Sequence, residues 1–311
     1  MTRADTDKDS DKPAQLHGRI AASHGQRGHV ELADGELSRF VLKGRELRVV
    51  CGDAVICEPQ ADSPELLVTR RQPRRNALER PSGRGRTEVL AANLDTLVVV
   101  TAPRPAPDCF LLDRFLCAAE LIGAGAVLVI NKADLDGMED HPDIAEYRRL
   151  GYPLLHTSAV TGDGMTELAD QLNEGTSVLV GQSGVGKSSL INYLVPNAAA
   201  LTGELSRASG DGRHTTTASC MFELPGGGRL IDSPGVREYA PAINTEAGVQ
   251  AGFREILRKA DNCRFANCQH TREPDCAVKA AVDDGVIAER RYASYKRLRN
   301  MHAAVSRPTR H

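Results

Sequence analysis

The stretch that most constrains this chain is Gly181-Gln182-Ser183-Gly184-Val185-Gly186-Lys187-Ser188, a G-x-x-x-x-G-K-S run. It follows the apolar segment Ser177-Val178-Leu179-Val180 and leads into Ser189-Leu190-Ile191-Asn192-Tyr193-Leu194, so it reads as strand, phosphate loop and helix. Small residues let successive backbone N–H groups curl around an anion, and a helix N-terminus adds a favourable dipole. Gly181 to Ser189 therefore form the expected triphosphate cradle. Lys187 is placed to reach the β- and γ-phosphates, and the Ser188 hydroxyl to hold Mg²⁺.

A chain of 311 residues has room for two or three domains. The 39 basic and 41 acidic residues nearly cancel, so any contact with nucleic acid must come from local clusters rather than a global field. No apolar run reaches the ~18 residues of a membrane span, and the first 15 residues carry no hydrophobic signal core. The expectation is a cytoplasmic, monomeric protein with no membrane contact. Eight cysteines in a reducing compartment argue against a disulfide framework, and three of them fall close together at Cys263, Cys268 and Cys276.

Residues 1–15 are polar, carry both signs of charge and can bury nothing, which predicts a disordered tail. From His17 to Thr69, short apolar runs alternate with turn signals: Gly28 to Leu32, Phe40 to Leu42, Leu47 to Val50 and Ala54 to Ile56. That spacing suits an all-β, OB-like barrel over 16–88, with Cys51 and Cys57 as small buried hydrophobes. Arg70, Arg71, Arg74, Arg75, Arg80, Arg84 and Arg86 then make a basic stretch that reads as a flexible linker, either solvated or in contact with phosphate backbone. Strand and helix patterns alternate from Leu94 to the phosphate loop, which predicts a parallel α/β sheet over 89–245 with ligands at the carboxyl ends of its strands.

The strand Ala126 to Ile130 ends in Asn131-Lys132-Ala133-Asp134, the N-K-x-D form used to read guanine. The Asp134 carboxylate can accept from guanine N1–H and the exocyclic amine, Asn131 supports the loop, and the Lys132 stem packs on the base. The next strand ends in Ser158-Ala159, where a backbone N–H meets guanine O6. Adenine does not offer this pattern, so GTP and GDP are the expected ligands. Downstream, Gly212-Arg213-His214-Thr215-Thr216-Thr217 resembles a first switch loop, with Thr215 or Thr216 on Mg²⁺ and the γ-phosphate. Asp232-Ser233-Pro234-Gly235 has the D-x-x-G form, in which Asp232 supports the metal and the Gly235 N–H faces the γ-phosphate.

In ordinary GTPases the phosphate loop comes first. Here N-K-x-D and Ser-Ala precede it and D-x-x-G comes last, so the GTPase domain is circularly permuted. In this arrangement the chain resembles the RsgA family (also called YjeQ or EngC), permuted GTPases that act in maturation of the small ribosomal subunit. The resemblance covers nearly the whole chain. It implies slow GTP hydrolysis stimulated by that subunit, with departure on hydrolysis, and the subunit and its rRNA as partners. The position after Gly235 is Val236, whose aliphatic side chain cannot orient water. His214 is then the candidate to orient or activate it, the alternative being a switch-loop histidine facing the ribosome or solvent.

Cys263-x4-Cys268-x-His270-x5-Cys276 supplies three thiolates and an imidazole, which close a tetrahedral structural Zn²⁺ site with no open position. Two helices follow, the second carrying Arg290, Arg291, Lys296, Arg297 and Arg299 interleaved with Tyr292 and Tyr295. This reads as an RNA-binding face, or else a solvated one, on a zinc-binding domain over 246–311. The competing functional reading is an RNA-binding scaffold that keeps GTP as a structural ligand.

Overall fold

The computed structural model describes residues 14–82, 86–135, 141–196, 198, 219–232 and 246–305. The expected tail up to position 13 lies outside the described residues.

Five strands form the first layer: β1 (Leu16–His24), β2 (Arg27–Leu32), β3 (Leu37–Leu42), β4 (Ala54–Gln60) and β5 (Ser63–Arg71). They pair in the order β1-β2-β3-β5-β4, and β4 closes back onto β1, which makes the barrel that the short alternating runs imply. Its interior is Ile20, Val30, Phe40, Leu42, Val55, Cys57 and Val68. The run Leu47 to Val50 is not a strand. The Asp53 carboxylate accepts the Val50 N–H at 2.8 Å and folds the segment into a turn.

The arginine-rich stretch is not a free linker. It builds a hairpin of β6 (Ala77–Ser82) and β7 (Arg86–Ala92), and Arg74, Arg75 and Arg80 are used internally. Arg74 grips the fully buried Asp53 through two bonds of 2.6 and 2.8 Å. Arg75 pairs with Asp95 and Arg80 with Glu88; Arg84 lies outside the described residues. A carboxylate at zero exposure must be paired, which explains why Arg74 is drawn inward.

The second layer is a six-stranded sheet in the order β10-β9-β8-β11-β13-β12, made of β8 (Thr96–Thr101), β9 (Gly125–Asn131), β10 (Leu154–Thr157), β11 (Thr176–Gly181), β12 (Cys220–Glu223) and β13 (Arg229–Asp232). All its pairings are parallel except β12 against β13. Strands buried on both faces need continuous apolar runs, and Leu97 to Val100 and Ala126 to Ile130 supply them. Helices α1 (Cys109–Ile122) and α2 (Pro142–Arg149) cover one face; α3 (Met165–Gln171) and α4 (Lys187–Leu194) cover the other. The two layers join where Ala22 of β1 pairs with Cys220 of β12, and Arg229 of β13 forks onto Glu31 of β2 at 2.5–3.2 Å.

Four further helices follow: α5 (Glu246–Ala251), α6 (Arg254–Ala260), α7 (Ala277–Asp283) and α8 (Glu289–Val305). Together with the cysteine-bearing segment they build a core of their own, with Val278, Ala281, Ile287 and Tyr292 among its members, and one residue of α1 enters it. Val249, Phe253, Ile256, Tyr295 and Leu298 pack against Cys117 of α1, with Phe110 and Leu121 at the margin. Among the described residues, no helix is long and apolar enough to cross a membrane.

Candidate nucleotide site and metal centre

Parallel strands all deliver their carboxyl ends to one edge, and this brings Asn131 (β9), Ser158 (after β10), Gly181 (β11) and Asp232 (β13) to the same side of the sheet. Asn131 is buried. Its amide donates to Val185 O of the phosphate loop at 2.9 Å, and its Oδ1 accepts from the Thr157 hydroxyl at 3.4 Å. Gly186 is needed for this approach, because a Cβ there would collide with the Asn131 amide and its φ is +94°. Base-reading loop and phosphate loop are thus tied into one unit before any ligand arrives.

Lys132 adopts φ +62° and lays its stem across the loops, with Nζ donating to Gly184 O at 2.7 Å and Arg104 O at 2.9 Å. Asp134 is exposed, and its Oδ1 accepts from the Ser158 hydroxyl at 2.6 Å. That bond orients the carboxylate and leaves its other lone pairs for a ligand. Lys187 bends back onto its own loop, donating to Gly181 O at 2.7 Å and Gln182 O at 2.6 Å. Ser188 and Ser189 stand exposed in the first turn of α4, and half-buried Asp232 ends β13. His214, Thr215, Thr216 and Gly235 lie outside the described residues.

The cysteine cluster closes as its spacing implies. The ligand atoms of Cys263, Cys268, His270 and Cys276 all lie within 4.8 Å of one another. His270 Nδ1 is 3.5 Å from Cys263 Sγ and 3.4 Å from Cys276 Sγ, and those two sulfurs are 3.9 Å apart. Tetrahedral zinc with ordinary Zn–S and Zn–N bonds has ligand–ligand edges of about 3.5–3.8 Å, so the donor set fits that ion. Burial lowers the pKa of His270 and favours the neutral imidazole that a metal ligand must be, while it pushes the Cys268 thiol up, so thiolates here call for a cation.

The surroundings hold this donor set in place. His270 has φ +55°, and its carbonyl accepts from the Tyr292 hydroxyl at 2.6 Å; Gln269 O accepts from Tyr295 at 3.0 Å and Arg299 at 3.0 Å. Burial would raise the Glu273 carboxyl, but the backbone N–H groups of Glu273, Thr271, Gln269 and Arg272 outweigh it and hold the pKa down at about 2. Gln250 Oε1 lies 3.1 Å from His270 Nε2, which assigns the ring proton to Nε2 and frees Nδ1 for the metal. No sequence signal marks Gln250. Gln250→Ala is expected to weaken zinc retention about 10–100-fold, as outer-shell losses do, read as zinc release to a chromogenic chelator.

The tyrosines and two of the arginines on α8 correct the reading of that helix as an RNA face. Tyr292 and Tyr295 are buried against the metal cluster, so neither can stack on a base. Arg291 has no exposure; it donates to Glu255 at 2.7 and 3.2 Å and to Asp113 at 2.7 Å. Arg290 bridges Asp113 and Asp143 at 2.7 Å each, and Tyr147 donates to Asp113 at 2.6 Å. These charges fasten α8 to α1, α2 and α6. Lys296 and Arg297 stay exposed, lying over the rings of Tyr292 and Phe110.

Comparison with known proteins agrees with this geometry. The family model described as RsgA GTPase matches residues 71–241. The chain is 44% identical over 292 residues to the small ribosomal subunit biogenesis GTPase RsgA of Azotobacter vinelandii, covering 91% of this chain and 85% of that one. It is also 44% identical to the protein of the same name from Pseudomonas aeruginosa, covering 90% and 84%. Among solved structures, YjeQ from Thermotoga maritima superposes with a TM-score of 0.73 at 30% identity, covering 95% of this chain and all of that one. YloQ, described as a circularly permuted GTPase, gives 0.72 at 25% identity, covering 97% and 100%. With its phosphate loop, its N-K-x-D strand end and its permuted strand order in place, this chain belongs to the RsgA GTPase family.

Proposed function

We propose that this GTPase binds the small ribosomal subunit and its rRNA in the GTP state, acts late in assembly of that subunit as a cytoplasmic monomer, and leaves once GTP is cleaved to GDP and phosphate. The observation that carries the reading is the tie between base loop and phosphate loop, Asn131 to Val185 O, in a chain whose relatives are named for small-subunit biogenesis.

In this reading Asp134 reads the guanine edge, Lys132 covers its face, Ser158 orients Asp134, and the Ala159 N–H meets O6. The loop from Gly181 to Ser189 wraps the phosphates. Lys187 exchanges its two carbonyl partners for β- and γ-phosphate oxygens, so the ammonium is never left without acceptors. Ser188, Asp232 and Thr215 or Thr216 are the residues that would hold Mg²⁺, which neutralises charge developing between the phosphates. Gly235 and His214 face the γ-phosphate and the attacking water. Zinc bound by Cys263, Cys268, His270 and Cys276 is structural, since four protein ligands leave no position for substrate.

Basal hydrolysis is expected to be slow and to rise on adding purified small subunits, less so at high salt, because backbone phosphate contacts weaken as counterions compete. A rate indifferent to subunits would defeat the ribosomal reading. Lys187→Ala is expected to abolish hydrolysis and release while subunit binding persists. If release were unchanged, the chain would instead be a scaffold that keeps GTP as a structural ligand.

A further inference from the structure

Arg19 of β1 and Glu31 of β2 stand directly opposite each other in the barrel, the arrangement in which a cation and a carboxylate ordinarily pair. Here they do not. Both Glu31 oxygens are taken by Arg229 of β13, whose Nε lies at 3.2 and 3.1 Å and Nη2 at 2.5 Å, so the acid opposite Arg19 holds the other layer instead. A second acid acting on Arg19 is Asp95, just before β8, and it too is engaged: Oδ1 accepts from Arg75 at 2.6 Å and Oδ2 from the Thr176 N–H at 2.8 Å. Arg19 is left half-buried, and among the described residues its guanidinium makes no hydrogen bond or ion pair.

An arginine is ordinarily solvated or, where it loses water, paired. Arg19 is neither. Burial and then the nearby Arg229 pull its pKa below the ordinary arginine value, whereas the bonds to Glu31 raise that of Arg229; Arg19 stays a cation at any working pH. Three guanidinium groups, those of Arg19, Arg75 and Arg229, thus meet two carboxylates whose oxygens are already in use. Glu223, opposite Arg229 in β12, is exposed and makes no ion pair with any of them. This surplus of positive charge lies on β1, the strand that joins the barrel to the GTPase sheet through Ala22 and Cys220. The seam is open to solvent, since the side chains of Arg75, Asp95 and Arg229 are 60%, 37% and 29% exposed.

We propose that this seam is a phosphate-binding site, in which Arg19, flanked by Arg229 and Arg75, receives one phosphodiester of an RNA strand lying across the barrel and the GTPase sheet. A phosphodiester supplies the missing acceptors, because its two free oxygens match the planar fork of a guanidinium. The occupant is a polymer backbone rather than a small anion. An open seam does not enclose a ligand as a small-molecule pocket does, whereas a strand is held at several phosphates at once and needs no enclosure at any of them.

This rests on the small subunit and its rRNA being the partner, and the test separates the two claims. The full chain as wild type, Arg19→Met and Arg19→Lys, each with a non-hydrolysable GTP analogue, would be titrated against purified small subunits by filter binding across a salt series, with GDP affinity and the urea midpoint measured alongside. Arg19→Met is expected to bind subunits about tenfold more weakly, and its plot of log affinity against log salt to be shallower by about one, the loss of one phosphate contact; Arg19→Lys, which keeps the charge, keeps the slope. GDP affinity should be unchanged, and the urea midpoint unchanged or raised, since methionine removes a desolvated charge that has no partner. Unchanged affinity and slope in Arg19→Met overturn the site while the partner reading stands. A lowered urea midpoint also overturns it, by showing that the guanidinium holds the fold. Weaker binding with an unchanged slope assigns the seam to a protein carboxylate and overturns the RNA assignment, because counterion release belongs to the polyanion. If wild type does not bind subunits, the partner reading fails and the site falls with it.

Discussion

Arg291→Ala is expected to destabilise the protein by about 3–5 kcal/mol, because removing one partner of a buried ion pair strands the others in a low-dielectric interior. The side chain has no exposure, and it serves Asp113, also at zero exposure, and Glu255, at 6%. Alanine would also vacate the contact between the guanidinium and the Phe253 ring, 4.5 Å from its centroid. Urea unfolding monitored by circular dichroism measures this. Two comparisons give the result its meaning. Arg264→Ala removes an ion pair whose partners are both 64% exposed, and no measurable loss is expected there. Arg291→Met combined with Glu255→Leu takes away both charges at once, and should be less damaging than Arg291→Ala, since Asp113 keeps Arg290 and the Tyr147 hydroxyl. A loss under about 1 kcal/mol for Arg291→Ala would mean that water reaches the network, contrary to its burial.

The second large effect concerns base choice. Asp134→Asn is expected to lower GDP affinity by about 10²–10⁴-fold, the equivalent of two hydrogen bonds to a charged acceptor. The carboxylate already accepts from Ser158 at 2.6 Å, so one oxygen is oriented and the remaining lone pairs face outward from the exposed residue. An amide replaces one acceptor with a donor, which opposes a guanine N–H. Xanthine carries a carbonyl where guanine carries its amine, so the variant should prefer xanthosine diphosphate. Competition titrations with GDP, XDP and ADP read this directly. A variant that kept its preference for GDP would show that Asp134 does not read the base.

Much of the site was legible in the sequence because its chemistry is local. A phosphate loop needs small residues at fixed spacing in a continuous run of about eight, and N-K-x-D needs four residues at one strand end. The metal donors fall within a short turn-rich segment, so their types and spacing alone imply their closure. The permutation was legible for a related reason: the order of motifs along a chain is a property of the sequence, whatever the packing. The barrel and the parallel sheet followed from period-two alternation and from runs buried on both faces.

What failed to read correctly was non-local. Arg74, Arg75 and Arg80 looked like a free cationic linker because their partners Asp53, Asp95 and Glu88 are recognisable only once the strands are paired. On α8, a helix rich in arginine and tyrosine gives the same pattern whether its polar groups face RNA or meet buried carboxylates. Asp113 lies 178 residues before Arg291, and nothing near either residue announces the other. Gln250 carries no motif, because it meets His270 through a contact made only in three dimensions. The sequence by itself determined which chemical groups exist and which are neighbours along the backbone, hence the family, the set of metal-type donors and the permuted order of the motifs. The tertiary structure alone decided which charges are desolvated and must therefore find partners, and so which arginines hold the fold together and which remain exposed for a partner.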